Sequence, residues 1–218
     1  MANDVVAFGE SWSVYGEPVP PSGFVPCFRH PVASREVMSI DDRFCIRPPT
    51  GAEGAELTAI LAAMERHYDA AVTENEAADA CARLLGGHAP ARCLVAVSKG
   101  GLGEEGRIIG IALFAPVFPG ARFRDVIHLK ELFVLKEMRG QGVARALLAG
   151  VARAAIDAGC ERMEWVTDRG NALARAAYKA MGAAEGDRVT YRVGAQGLVR
   201  LAATGHADPR GRRAARRK

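Results

Sequence analysis

The sequence has no long apolar run, no paired cysteine motif and no recognisable export signal. None of its apolar stretches reaches the roughly 18 residues of a transmembrane helix, so we expect no membrane partner. The 5 cysteines are scattered without a C-x-x-C pair, which argues against both a zinc site and a disulfide framework. Because the N-terminus also lacks the basic and apolar regions of a signal peptide, we expect a cytoplasmic protein with reduced cysteines.

Positive charge is concentrated at the C-terminal end of the chain. Six Lys and Arg residues lie within residues 210–218, and without them the net charge of +4 becomes −2. The 218 residues, 49% of them apolar, suit one folded domain with tails. We expect the basic tail to be solvated, and the alternative is contact with nucleic acid or an acidic partner.

Composition divides the chain into three predicted segments. Residues 1–40 contain several helix-breaking prolines and form an irregular extension or arm. Residues 41–202 form the folded domain, and residues 203–218 form the basic tail. The aromatic residues of the arm suit contact with the domain or with a second copy in a homodimer. Met38 is an alternative start of the native protein.

The hydrophobic periodicity predicts a mixed α/β (α+β) fold with helices on the faces of one sheet. The predicted strands are 44–47, 93–98, 107–118, 126–135, 162–167, 189–193 and 198–202. Two T-x-x-E capping boxes, at Thr50 and Thr73, predict the first two helices. Two later helices are predicted at 143–158 and from Asn171 to Met181.

A glycine-rich turn connects the strand that contains Leu132–Val134 to the helix that begins at Val143. Such a turn presents unpaired main-chain amides at the positive end of a helix, which suits an anion. Gly140 and Gly142 lack a Cβ, so a phosphate can approach the main chain closely. The turn lacks the Lys and Ser/Thr of a P-loop, and Arg145 stands where a dinucleotide fingerprint has its third glycine.

Three segments in order carry a resemblance to a known family. The turn R-G-Q-G-V-A at 139–144 fits the pattern R/Q-x-x-G-x-G/A, and L-F-V at 132–134 precedes it. Downstream, N-A-L-A-R-A-A-Y-K-A-M-G-A at 171–183 resembles N-x-x-A-x-x-x-Y-x-x-x-G-A. From about Phe44 to Ala202 the chain resembles the GNAT superfamily of N-acetyltransferases, most closely the diamine acetyltransferase-like branch.

The resemblance implies a mostly antiparallel central sheet that splays between the strands before and after the R-G-Q-G-V-A helix. It also implies acetyl-CoA as co-substrate, with the pyrophosphate on the turn amides and the pantetheine arm along the preceding strand. The implied coenzyme-binding residues are Leu132, Phe133, Val134, Arg139, Gly140, Gln141, Gly142, Val143, Ala144, Arg145, Asn171, Ala174 and Tyr178.

The implied reaction is direct attack of a primary amine on the thioester in a ternary complex. Tyr178 resembles the family's general acid, since a phenol is largely protonated at neutral pH; the alternative is a core aromatic residue. Glu131 is the candidate general base. Strand alternation places it on one face with Ile127, Leu129 and Phe133, so we expect partial desolvation, and the alternative is a structural ion pair.

The acceptor is the least determined part of this interpretation. Lys130 stands where the diamine branch has an acidic residue, so the polyamine substrates of that branch do not carry over. Tyr68 and Lys130 are the candidate acceptor-contacting residues, and His67 and His128 are further candidate bases. A small-molecule or peptide amine is expected, without nucleic acid. The alternative function is a non-catalytic acyl-CoA-binding or regulatory module whose basic tail docks on nucleic acid or protein.

Overall fold

The computed structural model describes residues 38–41, 43–87, 89–99 and 106–204. The chain divides into two compact units, Met1–Val166 and Thr167–Lys218, which are taken in turn below. Residues 1–37 of the arm predicted at 1–40, and 205–218 of the tail predicted at 203–218, lie outside the described residues. Residues 38–40 belong to a strand and 203–204 to a helix, which corrects both predicted boundaries. The four described cysteines are all free thiols.

Six strands and three helices make up the described part of the first unit, and two helices lie in the second. The strands are β1 (Met38–Asp41), β2 (Phe44–Arg47), β3 (Arg92–Ser98), β4 (Ile108–Val117), β5 (Val126–Val134) and β6 (Met163–Glu164). The helices are α1 (Gly54–His67), α2 (Glu74–Leu85), α3 (Val143–Asp157), α4 (Ala172–Ala180) and α5 (Ala195–Thr204). None of the described helices is long and apolar enough to cross a membrane.

The six strands form one sheet in the order of the sequence, which confirms the expected mixed, mostly antiparallel sheet. Neighbours from β1 to β5 pair antiparallel, whereas β5 and β6 pair in parallel. The parallel pairing joins Ile127 to Met163 and His128 to Glu164 and extends no further. Beyond His128 the sheet therefore splays, and β6 is shorter than the predicted strand at 162–167.

Helices cover both faces of the sheet because successive strand residues point to opposite sides. On one face, α1 and α2 bury Leu57, Leu61 and Cys81 against Val95 and Ile111. On the other face lies α3, whose inner side is fully buried. The buried α3 residues are Val143, Ala146, Leu147, Leu148, Gly150, Val151, Ala154 and Ala155. The two predicted capping boxes are present before α1 and at the start of α2.

Two glycines allow α3 to lie very close to the sheet. A Cβ at Gly110 of β4 would stand 3.1 Å from side-chain atoms of Leu147 and Val143 and 3.2 Å from the Phe133 carbonyl oxygen. A Cβ at Gly150 of α3 would stand 3.0 Å from Ile46 and from Leu94. The start of α3 is thus held directly over β4 and β5.

In the second unit, the structure contradicts the two predicted C-terminal strands. Residues 189–193 have no regular secondary structure, and 198–202 lie within helix α5. Although 189–193 alternate in polarity, a strand needs a hydrogen-bonded neighbour, and the described part of this unit contains no other strand. The second prediction misread the period, because Leu198 and Leu201 recur at helical spacing.

A charged cluster fixes the chain between β2 and α1. The Arg47 guanidinium donates to both carboxylate oxygens of Glu53, at 2.5 and 2.8 Å, and the Thr50 amide donates to the same carboxylate at 2.7 Å. Arg47 hydrogen bonding, opposed by desolvation and aided by Thr50, lowers the pKa of Glu53 from 4.5 to about 2. The side chain of Glu53 is 14% exposed, so the pair is largely shielded from solvent.

This pair predicts a loss of stability in acid. A lowered folded-state pKa stabilises the protein above the unfolded value of 4.5, and that contribution disappears as the pH falls towards 2. We expect Glu53→Gln to reduce the free energy of unfolding at pH 7 by about 2 kcal/mol. Urea unfolding should show wild type and variant converging near pH 2, whereas a constant difference would contradict this account. Glu74→Gln, an exposed control, should change the value at pH 7 by less than about 0.5 kcal/mol.

The close approach of α3 predicts that Gly110→Ala is destabilising. Part of the obstruction is the main-chain oxygen of Phe133, which cannot rotate away, so we expect a loss of about 1–3 kcal/mol in the free energy of unfolding. Gly51→Ala is the matched control, because a Cβ there meets nothing within 4 Å. Urea unfolding of both variants is the measurement, and equal stabilities would refute the tight contact.

Candidate active site

The turn between β5 and α3 has the open, glycine-dependent geometry expected for an anion site. A 3₁₀ turn at Lys136–Met138 is followed by Gly140, with φ 75°, and Gly142, with φ 87°. Gly142 is the N-cap of α3 and is not capped by any side chain. A Cβ at either glycine would meet nothing within 4 Å, so there is open space beside both glycines.

The main-chain amides of this turn are unpaired. Among the described residues, none accepts a hydrogen bond from the amides of 140–145, and the helical ladder starts only with Ala146 donating to the Gly142 oxygen. Orphan amides at the N-terminus of a long helix carry a partial positive charge. The turn can therefore hold an anion with several main-chain donors at once.

Arg139 shapes the turn by folding back on β5. Its Nε donates to the Val134 oxygen at 3.1 Å, and its guanidinium lies 6.0 Å from the centre of the Phe133 ring. Arg139, Val134 and Phe133 are all among the coenzyme-binding residues predicted from the sequence. They give Arg139 a structural part in the turn in addition to its positive charge.

Gln141 is held by three contacts that the sequence did not predict. Its side-chain amide donates to the Glu137 oxygen at 3.1 Å and to the Met138 sulfur at 3.9 Å, and its own carbonyl accepts from Arg43 Nη2 at 3.2 Å. Glu137 in turn forms an ion pair with Arg107 at 2.6 Å. Arg43 lies 98 positions away in sequence, and no local pattern could have connected it to the turn.

The last residues of β5 present main-chain groups to an edge without a strand. The Leu135 amide donates to the Ile109 oxygen, so this antiparallel pair is a hydrogen-bonded one. Bonding direction alternates along an antiparallel ladder, so the amides and carbonyls of Leu132 and Val134 point away from β4. No described strand pairs with them there, because β6 stops opposite His128. The Val134 carbonyl is taken by Arg139, so on this edge the amide of Val134 is left without a partner among the described residues.

A β-bulge at Lys130 corrects the predicted face of Glu131. Leu113 pairs with Glu131 and Phe114 with Leu129, so Lys130 is the extra residue. Opposed residues share a face, which puts Glu131 with Phe133 on the α1 and α2 side and Leu129 on the α3 side. The prediction that Ile127, Leu129, Glu131 and Phe133 share one face is therefore wrong. A single inserted residue exchanges the faces, and simple alternation cannot reveal it.

Glu131 is partly buried and ion-paired with its neighbour. Its side chain is 21% exposed, and Oε1 lies 2.8 Å from Nζ of Lys130, whose side chain is 71% exposed. His128 faces the same side of the sheet, since it pairs with Ala115, two residues from Leu113. Glu131 is thus partly buried, as expected, and it also forms the ion pair that was the alternative.

Tyr68 and His67 lie at the C-terminal end of α1 beside β5. The His67 ring is 5.8 Å from the Phe133 ring and 5.4 Å from the Tyr68 ring. Tyr68 is 55% exposed, which leaves much of its surface accessible to a ligand. A groove of about 340 Å³ lies on the same face of the sheet, between α1 and α2, and its walls include Leu61, Met64 and Leu113. No described group of three or more His, Cys, Asp or Glu side chains is arranged to hold a metal.

The second unit contains Asn171, Ala174 and Tyr178 in and before α4. Asn171 Oδ1 accepts from the Ala174 amide at 3.1 Å, so Asn171 is the N-cap that was expected. Tyr178 is half-buried, and helical spacing places it on the same side of α4 as Ala174. Gly182, with φ 87°, ends this segment as predicted.

Comparison with known proteins identifies the family. The sequence model of the acetyltransferase (GNAT) family matches residues 58–183, which include the glycine-rich turn and α4. The chain therefore belongs to the GNAT acetyltransferase family, and the resemblance seen in its motifs is confirmed. Acetyltransferases of this family use acetyl-CoA.

Curated relatives resemble only part of the chain. The thialysine N-epsilon-acetyltransferase of Bos taurus is 32% identical over 93 residues, 42% of this chain and 54% of that protein. The L-ornithine N5-acetyltransferase of Arabidopsis thaliana is 30% identical over 76 residues, 35% of this chain and 33% of that protein. The chain thus spans about a third to a half of the length of these relatives.

Solved structures share the fold over most of the chain. An integron cassette protein from V. cholerae has a TM-score of 0.62 and 26% identity, covering 73% of this chain and 98% of that one. An aminoglycoside N-acetyltransferase, AAC(6')-Iy, in complex with CoA has a TM-score of 0.57 and 21% identity, covering 70% of this chain and 95% of that one. At 21% identity, the likeness to AAC(6')-Iy concerns the fold alone.

Proposed function

We propose that this protein is an N-acetyltransferase that transfers the acetyl group of acetyl-CoA to a primary amine within a ternary complex. The observation that carries the proposal is the row of unpaired amides at 140–145 beside the open edge of β5. These two features lie next to each other in one unit, and they suit the two chemically different parts of the coenzyme. When bound, the coenzyme supplies an activated acetyl thioester.

The turn is suited to the pyrophosphate, and the strand edge is suited to the pantetheine arm. Amides of Gly140 to Arg145 provide main-chain donors for phosphate oxygens, and the glycines allow close approach. Leu132 directs its amide and carbonyl outwards and Val134 its amide, as a peptide-like chain requires when it adds to a sheet edge. The free Val134 amide is our candidate for stabilising negative charge that develops on the acetyl carbonyl oxygen.

Glu131 and Tyr178 are our candidates for proton transfer. Glu131 accepts a proton from the amine nitrogen as the new C–N bond forms, after its carboxylate exchanges Lys130 for the acceptor. Tyr178, proposed from the resemblance of its segment to the family pattern, gives a proton to the sulfur as the C–S bond breaks. The products are an N-acetylated amine and the free thiol.

The acceptor is proposed to be a small-molecule or peptide primary amine that approaches the face bearing Glu131. Lys130, which is ion-paired with Glu131, is exposed. Tyr68, which follows α1 beside β5, is also exposed. The curated relatives are named for acetylating side-chain amines of ornithine and thialysine, which agrees with this class. Lys130 disfavours an acceptor that brings several positive charges to the bulge.

Binding of the coenzyme is the first prediction of the proposed function. Acetyl-CoA and CoA should each raise the melting temperature and give a saturable calorimetric signal, because they bind the folded state only. Absence of binding at millimolar CoA would refute the proposal. Binding without acetylation of any amine in a panel of amino acids, polyamines, aminoglycosides and peptides would favour the non-catalytic module, for which the Lys130–Glu131 pair is the supporting observation.

The role of Tyr178 is tested separately from binding. With an acceptor identified in that panel, Tyr178→Phe should lower kcat by about 100-fold or more and leave the Kd for CoA nearly unchanged. Tyr191→Phe is a matched control in the same unit, because Tyr191 is 89% exposed. Unchanged kcat in Tyr178→Phe would remove Tyr178 from the proposed mechanism.

A further inference from the structure

Arg43 connects the start of β2 to the glycine-rich turn. Its Nη2 donates to the Gln141 carbonyl at 3.2 Å, across 98 positions of sequence. The main chain of Arg43 is itself fixed, because its carbonyl accepts from the Lys99 amide at 2.8 Å, just beyond the paired residues Phe44 and Ser98. The guanidinium therefore reaches the turn from a fixed end of the sheet.

The contact fixes the orientation of one peptide unit. In a trans peptide, the carbonyl of one residue and the amide of the next point in opposite directions. Because Arg43 holds the Gln141 oxygen, the Gly142 amide must point away from Arg43. That amide belongs to the unpaired set at 140–145, so Arg43 determines the direction of one of the donors offered to an anion.

The turn itself does not enforce this orientation. Rotating the unit between Gln141 and Gly142 changes ψ of the first residue and φ of the second, and glycine accepts φ of either sign. Gly142 has φ 87°, and a Cβ added there would meet no atom within 4 Å, so no side-chain position at this residue fixes its φ. The other two Gln141 contacts, to Glu137 and Met138, are made by the side chain and do not hold the peptide unit.

We propose that Arg43 is a positioning residue for the coenzyme: it holds the Gln141 peptide unit so that the Gly142 amide faces the pyrophosphate. This inference rests on the proposed function of the turn. Arg43 acts through Gln141 and contributes a main-chain orientation. Its effect should therefore appear in coenzyme affinity and be absent from the chemical step.

The test compares Arg43→Met with Arg153→Met. Arg153 is exposed on α3, so its substitution removes the same charge without touching the turn. If the competent orientation falls to about a tenth of the population, Arg43→Met should weaken CoA binding about tenfold by calorimetry. Its kcat at saturating acetyl-CoA and its melting temperature without ligand should match those of wild type. Arg153→Met should bind CoA like wild type.

Two further measurements test whether Arg43 acts by positioning: one excludes direct contact with the 3′-phosphate, and the other observes the turn without any ligand. If Arg43 acts by positioning, Arg43→Met should lose the same factor of affinity for CoA and for dephospho-CoA. In the ligand-free protein, Arg43→Met should shift the Gly142 amide resonance, and Arg153→Met should not. A loss confined to CoA, or an unshifted Gly142 resonance, would overturn the inference. So would wild-type affinity in both Arg43→Met and Arg43→Gln. If wild type itself binds no coenzyme, the proposed function fails first, and the two failures are thus distinguishable.

Discussion

The contact between α3 and the sheet at Gly110 and Gly150 determines where the glycine-rich turn lies relative to β4 and β5. Because neither glycine has a side chain, the helix sits against β4 and its first turn comes directly after the end of β5. The unpaired amides of the turn and the outward-facing amides of β5 are consequently neighbours. The candidate anion site and the candidate site for an extended chain are therefore brought side by side by the packing of two elements.

The bulge at Lys130 divides strand β5 into two parts whose side chains face different helices. Before the bulge, Ile127 and Leu129 face α3 and the strand still pairs with β6. After it, Glu131 and Phe133 face α1 and α2, and the strand has one open edge. The bulge thus directs a carboxylate to the face that carries Tyr68 at the same point where the sheet opens. The positions proposed for the acceptor and for the coenzyme arm thus lie on one strand.

Local patterns predicted the parts of the fold that local forces form. The capping boxes at Thr50 and Thr73, the glycine turn and the cap at Asn171 each depend on residues within a few positions of one another. The sequence could not predict the bulge at Lys130 or the reach of Arg43, because both depend on which strands become neighbours. The predicted strand at 189–193 failed for the same reason, because alternation gives a strand only where a partner strand is present. The predicted strand at 198–202 failed locally, because its helical period was misread.

The open edge of β5 has a further consequence for how the chain behaves among its own copies. An unpaired strand edge is a template on which another chain can add by main-chain hydrogen bonds, and proteins usually cover, bend or charge such edges. Here Arg139 occupies one carbonyl and Lys130 distorts the strand, so the edge is partly protected without being closed. A pantetheine arm bound along β5, as proposed, would cover this edge. The coenzyme would then reduce aggregation in addition to supplying the acetyl group.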